Sequence, residues 1–408
     1  MTTAPGASAA GALAGVRVLD LTTNVLGPVA TQTLGDMGAD VIKIEPPQGD
    51  PMRDTGPGRH PQMAVYFLNM NRNKKSVVLD LKNSFAQEAL FRLIEGADVL
   101  VHSMRAQAAD RLGLSYGALA ERDPRLIFAS APGYSPDGPY RNRPAYDDVI
   151  QGESGLAGMV HMATGVPGYL PTVVADKLCG VFLASAIGMA LFSRERTGCG
   201  QQVQIPMLET MLSFNLVEHL WTGAFGDEGK LGYGRALSPH RRPYATKDGY
   251  ICLLAVSDEQ WKRLLAELDR PELADDPRFA TMGERTRNIN ALYSIVADQI
   301  GLRTTGEWRA RLDAADIPNG PMNRLQDLPA DPYLRETGFF QRYEHPSEGP
   351  LITTAIPQRF SQTPGSIRLP PPRLGEHTRE ILQSAGYDDT DIARIVQGAR
   401  GPPAAATP

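Results

Sequence analysis

Short apolar runs separated by helical patterns fill the first 130 residues of the chain. The runs have the length and composition of buried strands and lie at 16–21, 39–45, 76–80, 98–101 and 125–130. Helical patterns lie between them at 27–37, 84–95 and 105–112. Strands that alternate with helices of this length predict a parallel sheet covered on both faces. Ligands of such sheets bind beyond the carboxyl ends of the strands, which here means the loops after Asp20, Glu45, Val101 and Ser130.

A long apolar segment in the middle of the chain follows a single carboxylate. The side chains from Leu178 to Phe192 are almost all apolar or small, and a polar turn that ends at Gly198 closes the segment. This pattern predicts one buried helix with Asp176 at its entrance. One interpretation makes Asp176 the N-cap of that helix. The other is chemical, because a helix N-terminus keeps a carboxylate ionised and offers backbone N–H groups to a developing oxyanion.

A change of composition after the apolar helix predicts a second domain. A strand at 201–205 and a helix at about 207–222 lead into residues 226–240, where four glycines are typical of a flexible loop. A strand at 250–256 follows, with helices at about 258–268, 288–300 and 306–314. Beyond Asp327 the segments are short and punctuated by prolines until a helix at about 376–385.

Charge and composition exclude several classes of partner. The formal net charge of −5 gives no basic field for nucleic acid or an anionic membrane surface. The apolar run at 178–192 is shorter than the ~20 residues of a membrane span, and the first residues lack the basic region of a signal peptide. Three widely spaced cysteines predict small core residues in a reducing compartment and no disulfide framework. We therefore predict a cytoplasmic protein with no nucleic-acid or membrane partner.

Common catalytic and cofactor motifs do not occur. The turn after the first strand has no G-x-G-x-x-G, and the chain has no G-x-x-x-x-G-K-[ST], so neither a nicotinamide site nor a P-loop is predicted. The segment around Ser154 lacks the second glycine of a nucleophile elbow. The seven histidines show no metal-ligand spacing, so we predict no metal.

Polar segments remain as candidates for a ligand site. They are Asn69–Lys75, Pro132–Tyr134, Pro144–Asp148 and Asp176. Lys74 and Lys75 are predicted to be solvated loop charges, and Tyr146 and Asp147 are placed to cap a helix near 151–157. Composition and spacing alone predict a soluble α/β protein with a candidate loop for an anionic ligand.

Taken together, these segments resemble the class III CoA-transferase family, the CaiB/BaiF type that includes formyl-CoA and carnitine CoA-transferases. The resemblance covers nearly the whole chain beyond its first residues. The matching segments are Gly15-Val-Arg-Val-Leu-Asp20, Gly35-Asp-Met-Gly-Ala-Asp-Val-Ile-Lys-Ile-Glu45, Asn71-Arg-Asn-Lys-Lys-Ser-Val-Val-Leu-Asp80, Arg111-Leu-Gly113, Pro144-Ala-Tyr-Asp147, Ala175-Asp176, Arg194-Glu-Arg-Thr-Gly198, Ser238-Pro-His240, Lys247-Asp-Gly249, Asp276-Pro-Arg-Phe279 and Leu374-Gly-Glu-His377.

The resemblance implies that Asp176 is the nucleophile of a CoA-transferase. A carboxylate can attack an acyl-CoA thioester, and CoA then passes through an aspartyl thioester to an acceptor carboxylic acid. Such an enzyme uses a CoA thioester as substrate and needs no tightly bound cofactor, ATP or metal. Its expected partners are an acyl-CoA donor, an acceptor acid and a second copy of the chain.

The resemblance also implies the residues around the substrate. Those expected to bind CoA are Thr23, Asn24, Leu79, Ser103 and Arg111. Those expected near the acyl group are Val25, Tyr66, Tyr134 and Tyr146. The glycine-bearing loop at 226–240 is expected to close over the intermediate, because an exposed anhydride would hydrolyse.

The fold implied by the resemblance is a large Rossmann-like parallel-sheet domain built from both chain ends, a smaller α+β domain, and an interlocked homodimer. The implied layout is a flexible leader (1–14), the N-terminal part of the large CoA-binding domain (15–200), a linker helix (201–225), the small domain (226–325), the return to the large domain (326–400) and a flexible tail (401–408).

The chain departs from the family pattern near the expected site. Many members have Asn where this chain has Ser103, and Val25 replaces a Gln of formyl-CoA transferase. Val25 and Leu26 motivate the hypothesis of a larger, apolar acyl group. Two alternatives remain: an α-methylacyl-CoA racemase, in which a His would stand in place of Tyr146, and a catalytically silent CoA-binding protein.

Overall fold

The computed structural model describes residues 11–397, which form two compact units. The first unit contains residues 11–150, 173–211 and 338–397, and the second contains 151–172 and 212–337. Of the predicted leader only residues 11–14 are described, and they form a turn in which the N–H of Leu13 donates to the Met37 carbonyl over 2.9 Å. The predicted tail at 401–408 lies outside the described residues.

The structure has eleven strands among residues 11–397, and they include counterparts of all seven strands that were predicted with bounds. They are β1 (Arg17–Leu21), β2 (Asp40–Glu45), β3 (Lys74–Val78), β4 (Val99–His102), β5 (Ile127–Ser130), β6 (Gln202–Gln204), β7 (Tyr244–Ala245), β8 (Tyr250–Leu253), β9 (Asn319–Pro321), β10 (Phe340–His345) and β11 (Gly349–Thr354).

The described α-helices are α1 (Leu26–Asp36), α2 (Val65–Leu68), α3 (Ser84–Ile94), α4 (Ala106–Arg111), α5 (Tyr116–Arg122), α6 (Asp147–Glu153), α7 (Leu156–Thr164), α8 (Val174–Thr197), α9 (Met207–His219), α10 (Asp258–Glu267), α11 (Met282–Arg287), α12 (Ile289–Ile300), α13 (Thr305–Ala314), α14 (Pro332–Glu336), α15 (Thr378–Ser384) and α16 (Asp389–Gln397). Short 3-10 turns lie at Pro51–Asp54, Trp221–Phe225, Pro271–Ala274 and Leu325–Ala330.

A six-stranded parallel sheet forms the centre of the first unit. Its strand order is β3-β2-β1-β4-β5-β6, and each neighbouring pair is parallel. The prediction of a parallel sheet is therefore confirmed. The order reverses between β1 and β4, and such a switch point leaves a crevice at the carboxyl ends of the strands. Leu19, Ile42 and Leu100 of this sheet share a buried core with α3, α15 and α16.

Helix α8 packs closely against α1. A Cβ atom added to Gly180 would lie 2.6 Å from the carbonyl oxygen of Leu26 and 3.2 Å from the Val29 side chain, so the crossing requires glycine. The opposite side of α8 is exposed and apolar, with Val181, Phe182, Met189 and Phe192 along it.

The length argument against a membrane span is wrong for α8. The helix has 24 residues, and by length and composition it could cross a membrane. The predicted run at 178–192 was too short because its flanking turns, including Val174 and Arg194, are helical as well. Core helices of other proteins pass the same test, and α8 buries part of its length against α1 and the sheet. The absence of a membrane partner stays a prediction.

The second unit has a core of its own. Strands β7, β8 and β9 form an antiparallel sheet, and α10, α12 and α13 contribute Trp261, Leu292 and Trp308 to the core. Residues 226–243 contain neither helix nor strand, and Gly226 and Gly232 have φ values of 120° and 103°, which favour glycine.

The C-terminal segment of the first unit covers the outer edge of β3. The Asn73 N–H donates to the Leu369 carbonyl over 2.9 Å, and the Val78 N–H donates to Thr378 Oγ1 over 3.0 Å. Arg53 donates to the Pro372 carbonyl over 3.1 Å. Residues 369–378 therefore satisfy backbone groups that an edge strand would otherwise expose.

Charged side chains of the predicted anion-binding loop are buried and paired within the protein. Lys74 is fully buried, with Nζ 3.2 Å from Asp20 Oδ2 and 2.9 Å from Asn71 Oδ1. Arg72 is paired with Asp36 at 2.7 Å. Burial lowers the pKa of Lys74 to about 8, although Asp20 opposes the shift. The prediction of two solvated lysines is wrong for Lys74, because its ion-pair partner lies on β1, far away in the sequence.

Lys74 and Lys75 offer a matched test of this network. We expect Lys74→Met to lower the free energy of unfolding by about 3 to 5 kcal/mol, because it removes one partner of a buried ion pair. Lys75→Met should change it by less than about 1 kcal/mol, because the Lys75 side chain is 25% exposed beside the partly exposed Asp40. Urea denaturation of both variants at pH 7 measures the difference, and equal effects would contradict the assigned burial.

Candidate active site

Asp176 lies in the first turn of α8 and does not cap it. The helix begins at Val174, its N-cap is Val173, and Val173 makes no capping side-chain hydrogen bond. The carboxylate of Asp147, at the start of α6, takes that role by accepting the N–H of Asp176 over 3.0 Å. The predicted N-cap role of Asp176 is therefore wrong, because a carboxylate 29 residues earlier in the chain satisfies this helix end.

The surroundings of Asp176 oppose its ionisation. Burial raises the pKa of Asp176 to about 7, and the nearby Asp147 carboxylate adds to the rise. The helix N-terminus was predicted to keep Asp176 ionised, and burial together with Asp147 opposes that effect. Burial also raises the pKa of the Tyr66 phenol, and the nearby Asp176 and Asp147 carboxylates add to that rise.

Asp176 opens into a cavity of about 170 Å³ at the carboxyl ends of β1, β4 and β5. Four predicted site residues line the same cavity: Thr23, Asn24, Ser103 and Tyr146. The remaining lining is Leu26, Met104, Arg105, Ala131, Pro132, Gly133, Arg141, Arg143, Pro144, Ala145 and Met207. The site therefore lies at the switch point of the sheet, where ligands of open α/β folds bind.

Buried ionic contacts fix the turn that carries Thr23 and Asn24. Asn24 has a φ of 64°, and its N–H donates to Asp50 Oδ1 over 3.2 Å. Asp50 is paired with Lys43 at 2.9 Å, and both side chains are fully buried. Lys43 also donates to the Thr22 carbonyl over 2.8 Å. The Thr23 N–H donates to Ser103 Oγ over 3.3 Å and so joins this turn to the loop after β4.

A second cavity of about 350 Å³ lies at the ends of β1, β2, β3 and β4. Its lining is mainly apolar and includes the predicted Leu79 together with Ile44, Pro46 and Leu112. It shares Thr23, Ser103 and Met104 with the Asp176 cavity. A ligand with one polar and one apolar end could therefore use both cavities along a single path.

Four of the other predicted site residues do not line these cavities, and Tyr66, whose pKa is described above, is one of them. Arg111 is exposed at the end of α4, and its neighbour Leu112 lines the second cavity instead. Val25 is buried before α1, and Leu26 provides the apolar wall. Tyr134 is buried, with its ring 5.6 Å from that of Tyr140.

Sequence reasoning missed three arginines of the Asp176 cavity. Arg105, Arg141 and Arg143 line it, and Asp176 is the single carboxylate in that lining. The signal was local, because Arg141-Asn-Arg143 directly precedes the Pro144-Ala-Tyr-Asp147 segment.

No group of three or more His, Cys, Asp or Glu residues between 11 and 397 is arranged to hold a metal ion.

Cys179 is buried, as predicted for a small core residue. Cys199 and Cys252 are exposed, so the same prediction is wrong for them. Both lie where the chain faces solvent, at the end of α8 and on β8.

The chain is similar in sequence to known proteins of one family. The sequence model of CoA-transferase family III matches residues 13–378. The succinyl-CoA:glutarate CoA-transferase of Homo sapiens is 31% identical over 390 residues, which span 94% of this chain and 88% of that protein. The formyl-CoA:oxalate CoA-transferase of Escherichia coli O6:H1 is 31% identical over 411 residues, spanning 94% and 98%.

A third relative has a solved structure. The probable fatty acyl-CoA transferase Rv3272 of Mycobacterium tuberculosis is 32% identical over 394 residues, which span 93% of this chain and 99% of that protein. Its orthorhombic crystal form superposes on 91% of this chain and 99% of its own with a TM-score of 0.79.

The raised pKa of Asp176 predicts a pH-dependent gain in stability when the residue is neutralised. Above the ordinary carboxyl pKa the unfolded state releases this proton more readily than the folded state, so the wild type loses stability up to about pH 7. Asp176→Asn lacks this loss. Its free energy of unfolding should therefore rise relative to that of the wild type by on the order of 1 kcal/mol per pH unit in that range.

Denaturant midpoints of wild type, Asp176→Asn and the exposed control Asp148→Asn, measured from pH 4 to pH 8, test this expectation. The Asp176→Asn difference should grow with pH, and by more than the Asp148→Asn difference does. A constant Asp176→Asn difference would contradict the raised pKa.

Proposed function

The chain belongs to CoA-transferase family III, and we propose that it moves CoA from an acyl-CoA thioester to an acceptor carboxylic acid through covalent intermediates on Asp176. The family membership confirms the resemblance that the sequence motifs indicated. The observation that carries the mechanistic proposal is a partly buried carboxylate that opens into a cavity at the switch point of the sheet.

The proposed reaction proceeds through two anhydrides and one aspartyl thioester. The Asp176 carboxylate attacks the thioester carbonyl, which forms a mixed anhydride and releases the CoA thiolate. The thiolate attacks the aspartyl carbonyl and releases the donor acid. The acceptor carboxylate then attacks the aspartyl-CoA thioester, which forms a second anhydride and releases the CoA thiolate again. Attack of the thiolate on the acceptor acyl carbon completes the new thioester and regenerates the Asp176 carboxylate.

The surroundings of Asp176 support a nucleophilic role. With a pKa near 7, a substantial fraction of Asp176 is ionised at neutral pH. Burial and Asp147 disfavour the charged form, and formation of either covalent intermediate removes that charge. The Asp147 hydrogen bond holds the Asp176 backbone, so the nucleophile is anchored while its side chain reacts.

The two cavities support a path for the CoA substrate. In this proposal the nucleotide end lies in the apolar cavity beside Leu79, and the thioester lies beside Asp176. Thr23 and Ser103 belong to both cavities and therefore stand along the pantetheine arm. Tyr146 lines the reacting end.

We further propose a homodimer in the cytoplasm, with the domain layout that the resemblance implies and the 226–240 loop closing over the intermediate. The exposed apolar side of α8, formed by Val181, Phe182, Met189 and Phe192, supports a partner surface. The exposed free thiols of Cys199 and Cys252 suit a reducing compartment.

Loss of the nucleophile should abolish transfer without unfolding the chain. We expect Asp176→Ala to lose CoA transfer by at least about a thousandfold, because no other carboxylate lines the cavity. Mass spectrometry of the wild-type Asp176 peptide after incubation with mixed acyl-CoA donors and hydroxylamine should show an adduct at Asp176. An active Asp176→Ala variant would overturn the mechanism.

Two measurements distinguish the proposed transferase from the two alternative functions. A racemase would exchange the α-proton of a 2-methylacyl-CoA with deuterated water, and we expect no such exchange. A silent CoA-binding protein would bind acyl-CoA and form no adduct at Asp176.

The proposed dimer predicts a concentration-independent mass of two chains in size-exclusion chromatography with light scattering. Phe182→Glu combined with Phe192→Glu should shift that mass toward one chain, because it places charges on the apolar side of α8. Phe85→Glu, at an exposed phenylalanine of α3, serves as the control and should not shift it. A wild-type mass of one chain would count against the dimer.

A further inference from the structure

A further cavity, of about 150 Å³, adjoins the Asp176 cavity and has no part in the reaction steps proposed above. It lies at the carboxyl ends of β4, β5 and β6, and the last residues of these strands, His102, Ser130 and Gln204, line it. Residues of α4 and α5 form its other wall. We call this space the His102 cavity.

His102 is a buried polar side chain with an unused hydrogen-bonding atom. It is 4% exposed, and its Nδ1 has no hydrogen-bond partner among residues 11–397. Burial lowers the pKa of His102 to about 4, so the imidazole is neutral at pH 7. The Phe128 ring packs against it, 5.0 Å away between centroids, and supplies no polar atom. Because an unpaired buried polar group is unfavourable, the cavity beside His102 suits a molecule that forms hydrogen bonds.

Arg141 brings a positive charge to the same cavity. It is one of three residues, with Met104 and Pro132, that line both the His102 cavity and the Asp176 cavity. Among residues 11–397 no carboxylate forms an ion pair with Arg141. The single carboxylate of the lining, Asp110, is exposed, so water weakens its field. A guanidinium together with a neutral imidazole suits a carboxylate, which accepts hydrogen bonds from both.

The rest of the lining favours a small polar molecule over an acyl chain. Hydroxyl and amide groups come from Ser115, Ser130, Gln202 and Gln204. An acyl chain would remove these groups and His102 Nδ1 from water without pairing them, which is unfavourable. Gln202 and Gln204 are exposed, so the cavity also reaches solvent.

The proposed reaction needs a place for acids that CoA does not occupy. While the aspartyl thioester exists, CoA stays attached to Asp176, and its arm fills the path past Thr23 and Ser103. One acid has to leave and another has to enter during that time. Thr23, Ser103 and Leu79 do not line the His102 cavity, which therefore stays open when the CoA path is filled.

We propose that the His102 cavity binds the carboxylic acid that enters or leaves while CoA is attached to Asp176. The acid accepts hydrogen bonds from the Arg141 guanidinium and from His102, in the tautomer that carries its proton on Nδ1. The proposal rests on the CoA-transferase function and adds a site for the acid outside the path of the pantetheine arm.

Titration of the wild type with short acids, without any acyl-CoA, tests the site in the absence of turnover. Acetate, butyrate, succinate and benzoate are added to protein with ¹³C-labelled histidine at pH 7.5, and the ring signal of His102 is followed by NMR. Its absence from His102→Gln assigns the signal. At least one acid should shift it in a saturable manner, whereas the signal of the exposed His60 should not follow the same curve. No shift with any of the four acids would indicate a cavity that holds water only and would overturn the proposal.

Two further titrations test the charge of the ligand and its separation from CoA. The amide of the acid that binds, such as butyramide for butyrate, keeps the shape and lacks the charge, so it should bind at least about tenfold more weakly. Saturating CoA should leave the affinity for the acid nearly unchanged, because the CoA path has its own lining. Equal affinity for the amide, or displacement of the acid by CoA, would overturn the proposal.

Substitutions at three exposed positions test the assigned contacts with little risk to the fold. Arg141→Gln should weaken acid binding about tenfold, because charged hydrogen bonds are lost. Asp110→Asn should strengthen it about twofold, because a nearby like charge is removed. Arg359→Gln, at an arginine outside the lining, should leave it unchanged. Unaltered acid binding in Arg141→Gln would contradict the assigned site.

Exchange of labelled acid separates this site from CoA transfer itself. The wild type and Arg141→Gln are incubated with the CoA thioester of the acid that binds and with the same acid in labelled form. Arg141→Gln should raise KM for the acid by a larger factor than KM for the thioester, and an equal rise in both would overturn the proposal. Exchange without a shift at His102 would leave CoA transfer standing and overturn the acid site. A saturable shift at His102 without exchange would contradict CoA transfer and leave the acid site standing.

Discussion

The crossing of α1 and α8 at Gly180 is the constraint on which the geometry of the site depends. No side chain fits there, because a Cβ atom would lie 2.6 Å from the Leu26 carbonyl oxygen. Leu26 begins α1 directly after the Thr23–Asn24 turn, and Asp176 lies one helical turn before Gly180 on α8. The contact therefore sets the distance between the substrate-side turn and the candidate nucleophile. Packing in protein interiors is dense enough that a shift at this crossing would reach both.

Buried charged side chains have different neighbours in the scaffold and at the candidate site. Lys43 is paired with Asp50, Lys74 with Asp20, and Arg53 with Glu45, all with almost no exposure. Asp176 has a carboxylate neighbour instead of a cation, and its pKa rises. The paired charges hold the backbone around the site, whereas burial and Asp147 disfavour the charged form of Asp176. Perturbed carboxylates of this kind are common where chemistry takes place.

Much of the sheet could be predicted from sequence, because hydrophobic periodicity is a local property. Predicted strands at 39–45 and 98–101 correspond to Asp40–Glu45 and Val99–His102. Long-range pairing could not be predicted in this way. Lys74 forms an ion pair with Asp20 on β1, and the Asp147 carboxylate on α6 accepts the backbone N–H of Asp176 on α8. The family motifs predicted Asp176 and the Thr23–Asn24 turn. Arg141 and Arg143 lie just before a matched motif, and a local sequence pattern does not predict that they line the cavity.

The cover over the edge of β3 bears on how the chain is made in the cell. Residues 369–378 hydrogen-bond to Asn73 and Val78 and accept a hydrogen bond from Arg53. They leave the ribosome about three hundred residues after the strand that they protect. The whole second unit, at 151–172 and 212–337, is synthesised in between. Until then, the growing polypeptide exposes an open β-edge, a known template for intermolecular pairing. Completion of the first unit thus has to wait for synthesis of the second unit, and truncation before residue 369 would leave the edge of β3 open.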